Sequence, residues 1–337
     1  MMTKLHAKKT LLILLLAMLL MVMGGCGQSG QNQSGTDNTP QESGQTDFVP
    51  GTYASEYLTE LSGIGGRVTG TEKEIAGGDW VKSKLEEMGY EVKVQPFDYD
   101  AEGTKGSSRN FIAEKKGSSD DVVVLGAHYD SVDVGSGMDD NGSGIAVVLE
   151  AAKALKDAET PQTIRFIFFG AEEAGLFGSD YYVSQLSKDE LGKIVVMMNY
   201  DSLIAGDNAY VYGNADAGGK FRDEALAIAG EKELELITQP GENPEYPAGT
   251  TGDWSDHAAF KNVGVPYMYF ESTDWALGEK DGYTQVEVSL GEEGEIWHTQ
   301  YDTIDYISTN FPDRIENRLK TFSAVTEAIL MEDLNTL

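Results

Sequence analysis

Three nearly unbroken apolar runs constrain this chain most: Val122-Val-Val-Leu125, Ile164-Arg-Phe-Ile-Phe-Phe169 and Ile194-Val-Val-Met-Met198. A strand with one wet face alternates apolar and polar residues, so runs like these belong to strands covered on both faces. Helix spacing separates them. Ile145, Val148, Leu149, Ala152 and Leu155 follow the first run, and a helix over Phe177 to Leu186 follows the second. Val263-Gly-Val-Pro-Tyr-Met-Tyr-Phe270 reads as a fourth strand. Upstream, Val81, Leu85 and Met88 mark a helix stopped at Gly89. Val92-Lys-Val94-Gln-Pro-Phe97 alternates like a strand, with Asn110 to Ala113 as its partner. A last helix carries Ile315, Leu319, Phe322, Val325 and Ile329, with Pro312 near its first turn. Strands alternating with helices predict an α/β, three-layer sandwich, with a central, mostly parallel mixed sheet and helices on both faces. With no repeat and no second linker, residues 51–337 read as one domain.

The first fifty residues are of another kind. Lys4, Lys8 and Lys9 precede a thirteen-residue apolar run from Leu11 to Met23, then Gly24-Gly25-Cys26. Such a run is too short to span about 30 Å of hydrocarbon as a helix. A basic start, a short apolar core and small residues before a cut site make a secretory signal peptide. Residues 1–26 resemble a lipoprotein signal, in which Cys26, the sole cysteine, becomes the lipidated N-terminus. Residues 27–50 are rich in Gln, Ser and Gly and contain no Leu, Ile or Met, the composition of a flexible tether. The expected location is extracytoplasmic, on the bacterial cell membrane, with the lipid as the one membrane contact.

Charge excludes some partners. The chain carries 25 Lys+Arg against 56 Asp+Glu, a net charge of −31. Without the three lysines of the signal the net is −34. A phosphate backbone selects clustered Lys and Arg, so nucleic acid is not an expected partner, and no obligate protein partner is implied.

Polar motifs gather where the apolar runs end, which is where parallel α/β sheets keep their active sites. The first run leads into His128-Tyr-Asp130, which suits a metal ligand with an orienting acid or a satisfied structural histidine. Asp139-Asp140-Asn141-Gly-Ser-Gly144 precedes the next helix, as ligands or as acids favoured by the helix dipole. The second run ends at Glu172-Glu173 and the third at Asn199-Tyr-Asp201; Trp297-His298-Thr-Gln-Tyr-Asp302-Thr comes late. No Gly-x-Ser-x-Gly elbow and no His-Glu-x-x-His motif occurs, which argues against serine-elbow and helix-borne single-zinc chemistry.

In that order these motifs resemble the two-zinc bacterial aminopeptidases, a family related to glutamate carboxypeptidase and the single-zinc glutaminyl cyclases. Arg67-Val-Thr-Gly-Thr71, Ser255-Asp256-His257 and Gly264-Val-Pro266 support the match, which spans roughly residues 55–331. The resemblance implies two Zn²⁺ per chain. His128, Asp140 and Asp201 would hold one ion, and Asp140, Glu173 and His298 the other, with Asp140 bridging. Glu172 would be the general base and Asp130 the partner of His128. A cis peptide is implied between Asp140 and Asn141. Two departures, Gln300 after His-Thr and the Asn-Tyr-Asp201-Ser stretch, remove no ligand.

Trp254, Tyr269, Trp297 and His257 are candidates for the substrate pocket; Tyr267 and Phe270 are assigned to the core. The expected activity is hydrolysis of the N-terminal peptide bond of peptides with a free N-terminus. The rival readings are a single-zinc glutaminyl cyclase and a non-catalytic peptide-binding lipoprotein.

Overall fold

The computed structural model describes residues 48–337. The signal sequence, Cys26 and nearly all of the tether lie outside the described residues. Phe48 stacks on Tyr53 at 5.5 Å, so packing begins slightly before the expected boundary at residue 51.

Seven strands form one sheet: β1 (Val92–Ala101), β2 (Thr104–Lys115), β3 (Val122–His128), β4 (Thr163–Phe169), β5 (Ile194–Tyr200), β6 (Asn208–Gly213) and β7 (Tyr267–Thr273). Their order is β1-β2-β4-β3-β5-β7-β6. The central four, β4, β3, β5 and β7, run parallel, and antiparallel strands close both sides. The apolar runs supply the parallel centre because both of their faces are covered. Val123, Leu125, Ala127, Val196 and Met198 pack on one face and Val122, Val124 and Met197 on the other.

The first face carries α1 (Thr52–Ser62), α2 (Glu72–Glu87), α3 (Gly144–Ala154), and, later in the chain, Lys220–Glu231 and Arg314–Ile329. The second carries α4 (Phe177–Ser184), with His257–Asn262 beside it. The remaining helices complete the numbering as α5 (Lys188–Leu191), α6 (Lys220–Glu231), α7 (His257–Asn262), α8 (Ile304–Asn310) and α9 (Arg314–Ile329). The three-layer sandwich is therefore the fold of this protein. Gly89 stops α2 with φ of 79°. Glu150, buried on α3, accepts from the backbone N–H of Gly51 (2.5 Å) and Ala54 (2.6 Å), meeting donors that the start of α1 would otherwise leave unpaired.

Some expectations shift. The fourth apolar run is a strand only from Tyr267, because Gly264 turns the chain at φ of 84° just before it. Conversely β3 and β5 run on through His128 and Tyr200. Tyr267 and Phe270 are both buried, on opposite faces of β7.

Candidate metal centre

Parallel strands deliver the site. His128 is the last residue of β3, the middle of the sheet. Glu172 and Glu173 follow β4 on one side, and Asp201 follows β5 on the other. Asp140 comes from the irregular turn Met138–Ser143 that leads into α3. Its peptide bond to Asn141 is cis. Asn141 ties this turn to β5, donating from Nδ2 to the Tyr200 carbonyl at 2.8 Å. Gly144 must lack a side chain here, since a Cβ would sit 2.4 Å from the Tyr200 carbonyl oxygen. His298 arrives from the long loop between β7 and α8.

Asp140 stands between the two histidines. Its Oδ1 lies 3.2 Å from His128 Nε2, and its Oδ2 lies 3.0 Å from His298 Nε2. Asp201 Oδ1 is 3.4 Å from His128 Nε2, and Glu173 Oε2 is 3.1 Å from His298 Nε2. Ligand atoms about 2.0 Å from a tetrahedral zinc would be about 3.3 Å apart, so these spacings fit. Glu172 Oε2 is 4.0 Å from His128 Nε2. Glu173 Oε1 is buried with no hydrogen-bond partner, as a carboxylate awaiting a cation would be.

The charges carry the same message. Burial, and then Asp140, push the Glu173 carboxyl up to about 7. Burial raises Glu172 too, with Glu173, Asp256 and Asp201 adding to it. Hydrogen bonds to Asp140 and Glu173 raise His298 to about 11. His128 is also raised, because Glu172 and Asp201 outweigh its burial. Four acids crowd two imidazoles, which behave as substitute cations. Neutral imidazole and carboxylate form a donor set suited to zinc.

The surrounding residues hold these groups in place. Asp302 is buried; its Oδ1 accepts from the Asp139 N–H at 2.6 Å and its Oδ2 from the Asp140 N–H at 3.2 Å. Asp139 turns away from the centre, accepting from the N–H groups of Ile204 (2.7 Å) and Ala205 (3.0 Å). Ser255 donates to Asp201 Oδ2 at 2.7 Å. Buried Arg67 donates to the carbonyls of Tyr129 (2.7 Å), Ser136 (3.1 Å) and Gly137 (2.8 Å), fixing the loop before Asp140.

Asp130 flanks His128, its Oδ1 3.7 Å from Nδ1 and its backbone carbonyl closer, at 3.2 Å. Its carboxylate also accepts from the backbone N–H of Glu172 (3.1 Å) and Glu173 (3.2 Å) and from the Thr69 hydroxyl (2.6 Å). An Nδ1–H donated to the carbonyl leaves the Nε2 lone pair facing the acids.

His257 is buried, with Nε2 3.0 Å from the Gly252 carbonyl and its ring stacked on Tyr269 at 4.7 Å, so it backs the cavity wall. Trp254, Tyr269 and Trp297 do line the cavity above the centre. Sequence reasoning missed Glu271 and Glu295, which also line it. Glu271 was detectable, since it lies two residues from Tyr269 on β7 and shares its face.

A cluster of two imidazoles and four carboxylates, mostly buried but open to solvent at His298, at the carboxyl ends of a parallel sheet, defines a metallohydrolase-type centre on an α/β sandwich. Comparison with known proteins narrows the class. The family model for Peptidase family M28 matches residues 110–323. The alkaline phosphatase isozyme conversion protein of Escherichia coli (strain K12) is 31% identical over 84% of this chain and 90% of its own length. Aminopeptidase YwaD of Bacillus subtilis is 36% identical over 61% of this chain, which spans 42% of that relative. A solved zinc aminopeptidase from Bacillus subtilis shares the fold, with a TM-score of 0.68 at 21% identity, over 85% of this chain and 96% of its own. The chain belongs to Peptidase family M28 and is an enzyme, a peptidase.

Proposed function

We propose that this enzyme is a zinc-dependent aminopeptidase that releases the first residue of peptides with a free N-terminus. His128, Asp140 and Asp201 would hold one ion, and Asp140, Glu173 and His298 a second. The observation that carries this reading is the division of Asp140, one oxygen towards each histidine. When bound, the ions would supply Lewis-acid polarisation of the scissile carbonyl and acidify water.

The chain's own groups do the rest. Glu172 is buried at the mouth of the centre, and its raised carboxyl suits an acceptor of the water proton that later returns it to the leaving amine. The Asp130 carboxylate, through the Glu172 and Glu173 N–H groups, fixes the loop that aims this base. Asp302 and Arg67 keep Asp140 in register. Glu172 and Glu295, cavity acids that hold no ion in this reading, would favour the substrate's α-amine and so a free end.

A one-zinc cyclase is disfavoured because donor pairs exist on both sides of Asp140. A purely binding lipoprotein leaves Glu172 unexplained. Cys26 is proposed as a lipid anchor, with residues 27–50 as tether, giving an extracytoplasmic enzyme. Among the described residues no helix is long and apolar enough to cross a membrane.

The test is Glu172→Gln. Turnover of aminoacyl-nitroanilides should fall about a thousandfold while zinc binding and melting temperature are kept. Full activity in that variant overturns the assigned base.

A further inference from the structure

The cavity above the centre encloses about 250 Å³, and part of its wall has no role in the chemistry above. Glu271, on β7, is buried yet borders it. The Tyr269 hydroxyl donates to its Oε1 and the Tyr212 hydroxyl to its Oε2, each at 2.9 Å. Two neutral donors hold this carboxylate in position without neutralising it. Among the described residues it forms no ion pair, and burial pushes the carboxyl up to about 8, so an entering cationic side chain is what would ionise it near neutral pH. A buried carboxylate without a cation is costly, and the proposed mechanism does not use it.

The rest of the wall is of matching chemistry. Trp254, Tyr283 and Trp297 supply aromatic surface, Glu295 adds a second carboxylate, and among the described residues no Lys or Arg lines the cavity. An aromatic sleeve with an acid in its wall suits a cation on an aliphatic stem. The stem packs on the rings, the charge gains from their faces, and the head pairs with the acid. The cavity includes the centre itself and is smaller than pockets for drug-sized ligands, which start at about 300 Å³, so beside the centre it has room for little more than the first residue.

We propose that this cavity receives the side chain of the substrate's first residue and that Glu271 selects lysine or arginine there. The inference rests on the aminopeptidase reading and adds its substrate class. An apolar first residue gives Glu271 no counter-charge beyond its two tyrosine hydrogen bonds, the kind of mismatch that gives polar pockets their selectivity.

The test uses the zinc-loaded full chain with arginyl, lysyl, citrullinyl and leucyl nitroanilides. Citrulline keeps the shape of arginine without its charge. Wild type should cleave the arginyl substrate with a kcat/KM at least about tenfold above the citrullinyl one, the worth of a charge-assisted hydrogen bond. In Glu271→Gln that ratio should collapse towards one. Wild type that cleaves citrullinyl or leucyl substrates as well as arginyl overturns the proposal, whether or not the variant folds. So does an unchanged arginyl-to-citrullinyl ratio in a folded Glu271→Gln. Cleavage of none of the four substrates refutes the aminopeptidase reading itself, a different outcome.

Discussion

Asp302→Asn isolates the support beneath the bridging acid. In the native protein both carboxylate oxygens are engaged, one by the Asp139 N–H at 2.6 Å and one by the Asp140 N–H at 3.2 Å. The backbone carbonyl of Asp302 accepts separately from the Ser136 N–H (2.8 Å) and hydroxyl (2.9 Å), contacts that a side-chain change leaves alone. Asparagine keeps one acceptor and turns an NH₂ group towards the other backbone donor. One charge-assisted hydrogen bond, about 1.5–3 kcal/mol, is lost, and a buried N–H is left facing another donor. The expected loss of stability is about 3 kcal/mol in metal-free protein, measured by urea unfolding in EDTA. Because the displaced N–H belongs to Asp140 or its neighbour, zinc affinity should also fall, by about 10–100-fold. Competition with a chromophoric chelator reads that change. If stability stays within about 0.5 kcal/mol and zinc affinity is unchanged, Asp302 does not position Asp140 and the reasoning fails.

Two further predictions follow from buried charge. Arg67→Met leaves the carbonyls of Tyr129, Ser136 and Gly137 without their donor, so unfolding free energy should drop by about 3 kcal/mol or more in urea titrations. Glu327, on α9, has its carboxyl pushed up to about 8 by burial, with Glu150 adding to the rise and Lys232 opposing it. Its protonated form suits the fold, so this contribution is complete below the ordinary carboxyl value of about 4.3 and is lost as pH rises through about 8. Glu327→Gln should therefore raise the melting temperature at alkaline pH and leave it nearly unchanged at pH values below that ordinary range, as scanning calorimetry across pH would read.

The centre of the molecule was legible because its physics is local. Strands covered on both faces must be apolar throughout, so β3, β4 and β5 stood out. The acids and histidines at their ends were conspicuous for following such runs. The periphery was harder. β6, Asn-Ala-Tyr-Val-Tyr-Gly, is short and rich in tyrosine, and its burial depends on Trp275 and Tyr269, remote in sequence. α1 carries a short apolar stripe, Ala54, Tyr57, Leu58 and Leu61, but gains its first-turn partner from Glu150, almost a hundred residues on. Asp302 was visible beside His298, yet its task depends on a turn more than 160 residues earlier. Asp130 was visible beside His128, yet its hydrogen bonds to the Glu172 and Glu173 N–H groups depend on a loop about forty residues later.

The central claim is that Asp140 is shared by two ions. The direct measurement is zinc per chain, by mass spectrometry, at each step of a titration of chelated protein, with peptide cleavage followed alongside. The account predicts binding that reaches two zinc ions per chain, with activity complete when both are bound. Binding that stops at one ion, with full activity at that point, would contradict it.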